Sequence, residues 1–182
     1  HESLAQFEEI YDQVVTVNGV SKAWAMTGWR LGYIGAPKAI AQACDKIQGQ
    51  FTSATSSITQ RATIAAMEAN PDVLKDMIAA FKSRRDLVLN GLKQIAGLKV
   101  NHPEGAFYVF ADCSAYFGKK YQDWTISNSD DLCMYLLEEA LVACVGGAAF
   151  GDPNCFRISY AASEDILLKA VNRIGSALAK LQ

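Results

Sequence analysis

The chain has 182 residues, 51% of them hydrophobic and 20% charged, and its 17 basic and 19 acidic side chains leave a formal net charge of −2. This is ordinary globular composition, enough for one large or two small domains, and it offers no basic footprint for nucleic acid or an anionic membrane surface. The longest apolar run, between Ala140 and Gly151, is too short and too glycine-rich to span a bilayer. No signal-peptide pattern opens the chain, so the cytoplasm is the expected location.

In chain order, the β-branched run at residues 14–17 predicts a strand and Asn18-Gly19 a turn; Leu31-Gly32-Tyr33-Ile34 predicts a second strand. Pro37 suits the first turn of a helix whose apolar positions are Ile40, Ala43, Cys44 and Ile47. A small-residue helix over 58–69 is expected next. Asn70 as cap and Pro71 as first residue then open a long helix, with Leu74, Ile78, Phe81, Val88, Leu92 and Ile95 in helical spacing up to Gly97. Strands are predicted at 98–101 and 107–112, a loop through Trp124, and a helix from Asp130 capped by Ser129, with Leu132, Tyr135, Leu136 and Ala140 on one face. A strand at 156–160 leads to a last helix capped by Ser163, whose buried face is read as Ile166, Leu167, Ala170, Val171, Ile174, Leu178 and Leu181.

Five dispersed cysteines without a CxxC pair, and histidines only at positions 1 and 102, read as reduced thiols rather than a disulfide framework or a metal site. No GxSxG elbow, P-loop or GxGxxG is present. The chemistry-bearing segment is Ser21-Lys22 followed, one short loop later, by Arg30. The two predicted strands frame it. A lysine amine can form a Schiff base with an aldehyde, and a hydroxyl with a guanidinium can hold a phosphate. Taken alone, a lysine between apolar stretches is in most proteins a solvated surface charge, and Arg30 could equally brace the loop through backbone carbonyls. Arg157 lies inside the apolar strand Phe156-Arg157-Ile158, where a charge needs an anionic partner: a ligand, or one of the chain's own acids. Trp24 and Trp29 read as core packing, Gly28 as a place where a side chain would hinder the backbone, and Phe107 and Tyr108 as core or substrate-side aromatics.

The string Ser21-Lys22-x-x-x-Met26-Thr27-Gly28-Trp29-Arg30-x-Gly32-Tyr33 resembles the cofactor-lysine signature of the class I aminotransferases, the aspartate aminotransferase-like branch of the fold type I pyridoxal phosphate (PLP) enzymes. Pro103-Glu104-Gly105-Ala106-Phe107-Tyr108, Gly147-Ala148-Ala149-Phe150-Gly151 and Phe156-Arg157-Ile158-Ser159-Tyr160-Ala161 are similar to later blocks of the same family. The resemblance implies an α/β chain forming the C-terminal part of that fold: residues 1–81 closing the large PLP-binding domain, a long helix passing between domains, and residues 82–182 forming a small α+β domain. It implies Lys22 as the cofactor-carrying and proton-shuttling catalytic residue, Ser21, Lys22 and Arg30 as PLP contacts, Arg157 as the grip on the substrate α-carboxylate, and no metal. Transfer of an amino group from an L-amino acid to a 2-oxo acid is the implied reaction, with aspartate and 2-oxoglutarate as first candidates, in a homodimer.

Family chains run to roughly 400 residues, a two-domain size, and this one opens at His1 without a methionine. The expectation is therefore a C-terminal fragment, inactive by itself, because the resembled family draws its ring-stacking aromatic and ring-nitrogen aspartate from an upstream half. Loss of that half should also leave apolar surface around residues 14–17 and 31–34. Two other readings are an aminotransferase-like effector-binding domain of a transcription regulator and a PLP-dependent lyase of the same fold. One departure from the family is Gly146-Gly147-Ala148, where many relatives have Pro-Gly-Ser; losing the proline should loosen that loop.

Overall fold

The computed structural model describes residues 2–182; the chain splits into two compact units, with the division between Leu74 and Lys75. The division between these units falls ahead of the long helix.

In the first unit, strands β1 (Thr16–Gly19) and β2 (Gly32–Gly35) pair antiparallel from Thr16↔Gly35 to Gly19↔Gly32. Asn18-Gly19, predicted as a turn, instead continues β1. The Asn18 Oδ1 accepts the Gly19 N–H at 2.7 Å, and a Cβ on Gly19 would come within 3.2 Å of the Leu31 carbonyl, so the missing side chain lets the two strands close. The chain reverses further on, through residues 21–24.

Helix α1 (Lys38–Phe51) follows Pro37, and α2 (Ser57–Glu68) turns Thr59 and Thr63 inward. The apolar stripe of α1 has nothing over it: no residue of that helix is buried, and Phe51 is 83% exposed. The apolar surface expected on the hairpin is there, with Val17 at 75% exposure and Val15, Tyr33 and Ile34 also exposed. Among the described residues, Val20 and Met26 are the buried apolar side chains of this unit.

The second unit holds the core. Asn70 accepts the Asp72 N–H at 3.0 Å and Pro71–Leu74 form a 3-10 turn, after which α3 runs from Lys75 to Leu92. It is shorter than predicted. Past Leu92 the chain tightens into turns, with Ile95 N–H bonding Leu92 O and Leu98 N–H bonding Ile95 O; Gly97, at φ +93°, then sits against the Tyr116 ring. Strands β3 (Lys99–Val100) and β4 (Tyr108–Asp112) follow, then a small hairpin of β5 (Lys120–Tyr121) and β6 (Trp124–Thr125) inside the predicted loop. Helix α4 (Ser129–Ala140) is capped by Asn128, whose Oδ1 accepts the Asp131 N–H at 2.9 Å; Ser129 is the first helical residue and not the cap. Strands β7 (Val145–Gly146) and β8 (Cys155–Ser159) complete an antiparallel sheet of order β3-β4-β8-β7, and α5 spans Glu164–Leu178.

Alternation fixes what each face of this sheet does. Val109 and Ala111 of β4 pair with Ile158 and Phe156 of β8, and all four are buried with Val88, Leu92, Leu132, Leu136, Ile174 and Leu178 from the helices. Burial of each of the larger side chains among them contributes about 1.5–3 kcal/mol. The α5 stripe is narrower than predicted, because Ile166 lies on the exposed side. The opposite sheet face carries Tyr108, Phe110, Cys155 and Arg157. Among the described residues no helix is long and apolar enough to cross a membrane.

Candidate functional site

Ser21 and Lys22 begin the reversal that follows β1. The Trp24 N–H bonds Val20 O at 3.3 Å and the Ala25 N–H bonds Lys22 O at 3.2 Å, and Val20 and Met26, which flank this turn, are buried. Thr27–Trp29 form a 3-10 turn, and Arg30 ends it in the left-handed region at φ 53°, ψ 53°. Ala25 is left-handed as well, at φ 54°. Two side-chain-bearing residues in that region within one loop store about 1–3 kcal/mol each, a cost that tends to collect at functional sites. Gly28 is not the constrained position: a Cβ there would meet nothing within 4 Å.

The Arg30 Nη1 donates to Thr27 O at 2.9 Å, so the guanidinium does brace its loop, and among the described residues that is its one side-chain hydrogen bond. Its other N–H groups remain for an anion. Ser21 is half-buried and Lys22 exposed. Trp29, expected in the core, is 43% exposed; Trp24 is half-buried. A hydroxyl, a primary amine and a guanidinium in one short loop form a donor set that fits a group bearing both an aldehyde and a phosphate.

In the second unit Arg157 stands on the outer face of β8, opposite Phe110 on one side and Val145 on the other. It is half-buried, and among the described residues it has neither an ion pair nor a side-chain hydrogen bond. Asp112, the acid on the same face, is engaged by Lys99 at 3.2 Å and accepts the Ser114 N–H at 2.8 Å. The internal salt bridge considered from the sequence is thus absent. What flanks the guanidinium is aromatic: its Cζ lies 4.3 Å from the Tyr108 ring centroid and 4.2 Å from that of Phe150. In the sequence Phe150 carries no signal beyond its place in the 147–151 block; Tyr108 and Phe110 alternate on one strand, but that they share a sheet face with Arg157 follows only from the β4–β8 pairing. Phe107 joins the aromatics on the core side, 6.0 Å from Phe81.

The 145–151 loop, expected to be loosened by the missing proline, is fastened by hydrogen bonds. The Gly147 N–H reaches the buried Ser129 hydroxyl at 3.3 Å and the Phe150 N–H bonds Gly147 O at 2.8 Å. A Cβ on Gly147 would fall 2.2 Å from Asp152 O and 2.4 Å from Cys155 O, so the backbone closes on itself where the side chain is missing. All five cysteines are free thiols, and no His/Cys/Asp/Glu cluster able to hold a metal occurs among the described residues.

Residues 1–174 match the family described as Aminotransferase class I and II. Among curated proteins, the chain is 48% identical over 186 residues to a bifunctional aspartate aminotransferase and glutamate/aspartate-prephenate aminotransferase of Petunia hybrida, covering 100% of this chain and 39% of that protein. It is 49% identical over 179 residues to an aspartate aminotransferase of Rhizobium meliloti (strain 1021), covering 97% and 44% respectively. The crystal structure of the aspartate aminotransferase from Rhizobium meliloti superposes on all of this chain with TM-score 0.95 at 47% identity, over 46% of its own length. An aromatic aminotransferase from Pyrococcus horikoshii gives 0.86 at 33% identity, over 98% of this chain and 46% of that one. The chain spans less than half the length of these relatives.

Proposed function

Because this chain belongs to the class I and II aminotransferases, we propose that the protein it forms part of moves the amino group of L-aspartate to 2-oxoglutarate with PLP held at Lys22. The observation that carries this is that an amine-bearing strand-end loop and a half-buried arginine with no acidic partner among the described residues both lie within the matched residues. Ser21 and Arg30 would hold the phosphate and Lys22 the aldehyde carbon. When bound, PLP supplies the electron sink that makes a Cα–H bond acidic. Once the substrate amine has displaced it from the aldehyde carbon, the freed Lys22 Nζ would take the proton from the substrate Cα and give it back later in the transfer. Arg157 orients the substrate by a bidentate pair to its α-carboxylate, which fixes the direction of the Cα–H bond relative to that amine.

Within the whole protein, residues 1–81 close the cofactor domain and 82–182 form the small domain; the assembly is a homodimer in the cytoplasm. The exposed apolar side chains of the first unit support an arrangement in which further protein covers them. Relatives whose names include prephenate support it as a second acceptor alongside 2-oxoglutarate.

Borohydride reduction after incubation with PLP, followed by peptide mapping, tests the assignment on the full-length protein. Label confined to Lys22, with Lys22→Ala abolishing turnover of aspartate with either acceptor, is the expected outcome. Label spread over surface lysines, or an active Lys22→Ala, would overturn it. Residues 1–182 alone should show negligible transamination in the same assay.

A further inference from the structure

An arginine that receives a carboxylate faces a conflict before its ligand arrives. A half-buried guanidinium needs stabilisation, yet an acidic neighbour would occupy the N–H edge that the ligand must use. Around Arg157 two aromatic rings stand where an acid would otherwise be, both within cation–π reach of the guanidinium. We propose that Tyr108 and Phe150 are positioning residues that hold the Arg157 guanidinium between their rings, leaving only its in-plane N–H edge to address a carboxylate. This rests on the reading of Arg157 as the carboxylate receptor.

Three observations converge on it. The guanidinium carbon lies 4.3 Å and 4.2 Å from the two ring centroids, well inside the range of cation–π attraction. The rings come from different parts of the chain: Tyr108 is the diagonal cross-strand neighbour of Arg157 on β4, and Phe150 closes the 3-10 turn between β7 and β8. Phe150 is itself held. Phe110 meets it edge-on at 6.4 Å and 87°, and its turn is tied through Gly147 to the Ser129 hydroxyl on α4. The loop that lacks a proline is thus rigid where it matters for this contact, because a backbone too close for any Cβ replaces what a ring would supply.

Stacking of this kind removes rotameric freedom from the arginine before binding and shuts water out of its two faces. It acts equally on the amino-acid and oxo-acid substrates, since both present the same carboxylate. Loss of a ring should therefore weaken both substrates together while leaving the chemical step largely alone.

The test is steady-state kinetics of the full-length holoenzyme with L-aspartate and 2-oxoglutarate, comparing Phe150→Leu and Tyr108→Leu in the native and Arg157→Lys backgrounds. The expected result is a KM increase of about tenfold for both substrates with each ring removed, and kcat moving by less than about threefold. In the Arg157→Lys background the same ring removals should change KM by less than about twofold, because the planar group they hold is already gone. Phe150→Tyr and Tyr108→Phe, which keep the ring, should restore the native KM values and guard against a folding artefact. Arg157→Lys raising both KM values while neither Leu variant does would overturn the clamp and leave the carboxylate reading standing. Leu variants as damaging in the Lys background as in the native one would also overturn it, since the rings would then act on something other than the arginine. Native KM values in Arg157→Lys would overturn the carboxylate reading itself, and the clamp with it.

Discussion

The most consequential single residues outside the loop sites are the buried thiols. Burial drives Cys113 up to about 12, helped by Cys133 and Asp112 nearby, and drives Cys133 up to about 11. Tyr135, whose hydroxyl donates to Ala177 O at 2.7 Å, is pushed to about 12 mainly by its burial. The sign follows from which state releases its proton first. An unfolded thiol ionises near its ordinary value of 9.0 while the native one stays protonated. Their contribution is thus fully present below pH 9 and is lost as pH rises toward 12. Denaturant midpoints should hold steady up to about pH 9 and fall above it, and Cys113→Ala should flatten that fall; an unchanged alkaline slope would remove the thiol as its cause. The exposed Cys44 should alkylate first under native conditions.

Among elements, the packing of α3 on α5 is set by one glycine. A Cβ on Gly91 would fall 2.4 Å from Cγ1 of Val171, a β-branched side chain with little rotamer choice in a helix. Gly91→Ala gains about 1 kcal/mol in helix propensity but overpacks the contact at about 1–3 kcal/mol. The clash wins. Urea denaturation should show a net loss of about 1 kcal/mol, and adding Val171→Ala should recover part of it; a stabilised Gly91→Ala would mean the helices can slide apart. Helices of this length were legible because caps and a 3.6-residue period repeat over several turns. The two-residue strands β3, β5, β6 and β7 span too little chain to show a period. Where β1 ended was misread because Asn18-Gly19 carries turn chemistry, while cross-strand closeness kept it extended.

For the whole molecule, the contrast between the two units is the dominant fact. The second buries Val88, Phe156, Tyr135 and Ile174 completely, while among the described residues the first buries only Val20 and Met26 of its apolar side chains and leaves α1 and the β-hairpin exposed. Cooperative stability follows buried apolar contacts. Amide hydrogen exchange on residues 1–182 should therefore show the slowest protons in β4, β8 and α5, with α1 and α2 exchanging at least about a hundredfold faster. Equal protection in α1 and β4 would show that the first unit is stabilised by something other than its own core.

The sequence by itself determined the family, through the Ser21-Lys22 to Tyr33 string and the Phe156 to Ala161 block, and with it the α/β class and the candidate residues. Such motifs are local: they can be read without knowing what lies beside them in space. Only the tertiary structure decided what surrounds each one. The acid-free setting of Arg157 depends on β4, β8 and the Phe150 turn meeting at one sheet face, and the openness of Lys22 on how little of the first unit's apolar surface its own residues can cover. Stacking, exclusion of water and exposure are properties of neighbours far apart in the chain, and no local pattern encodes them.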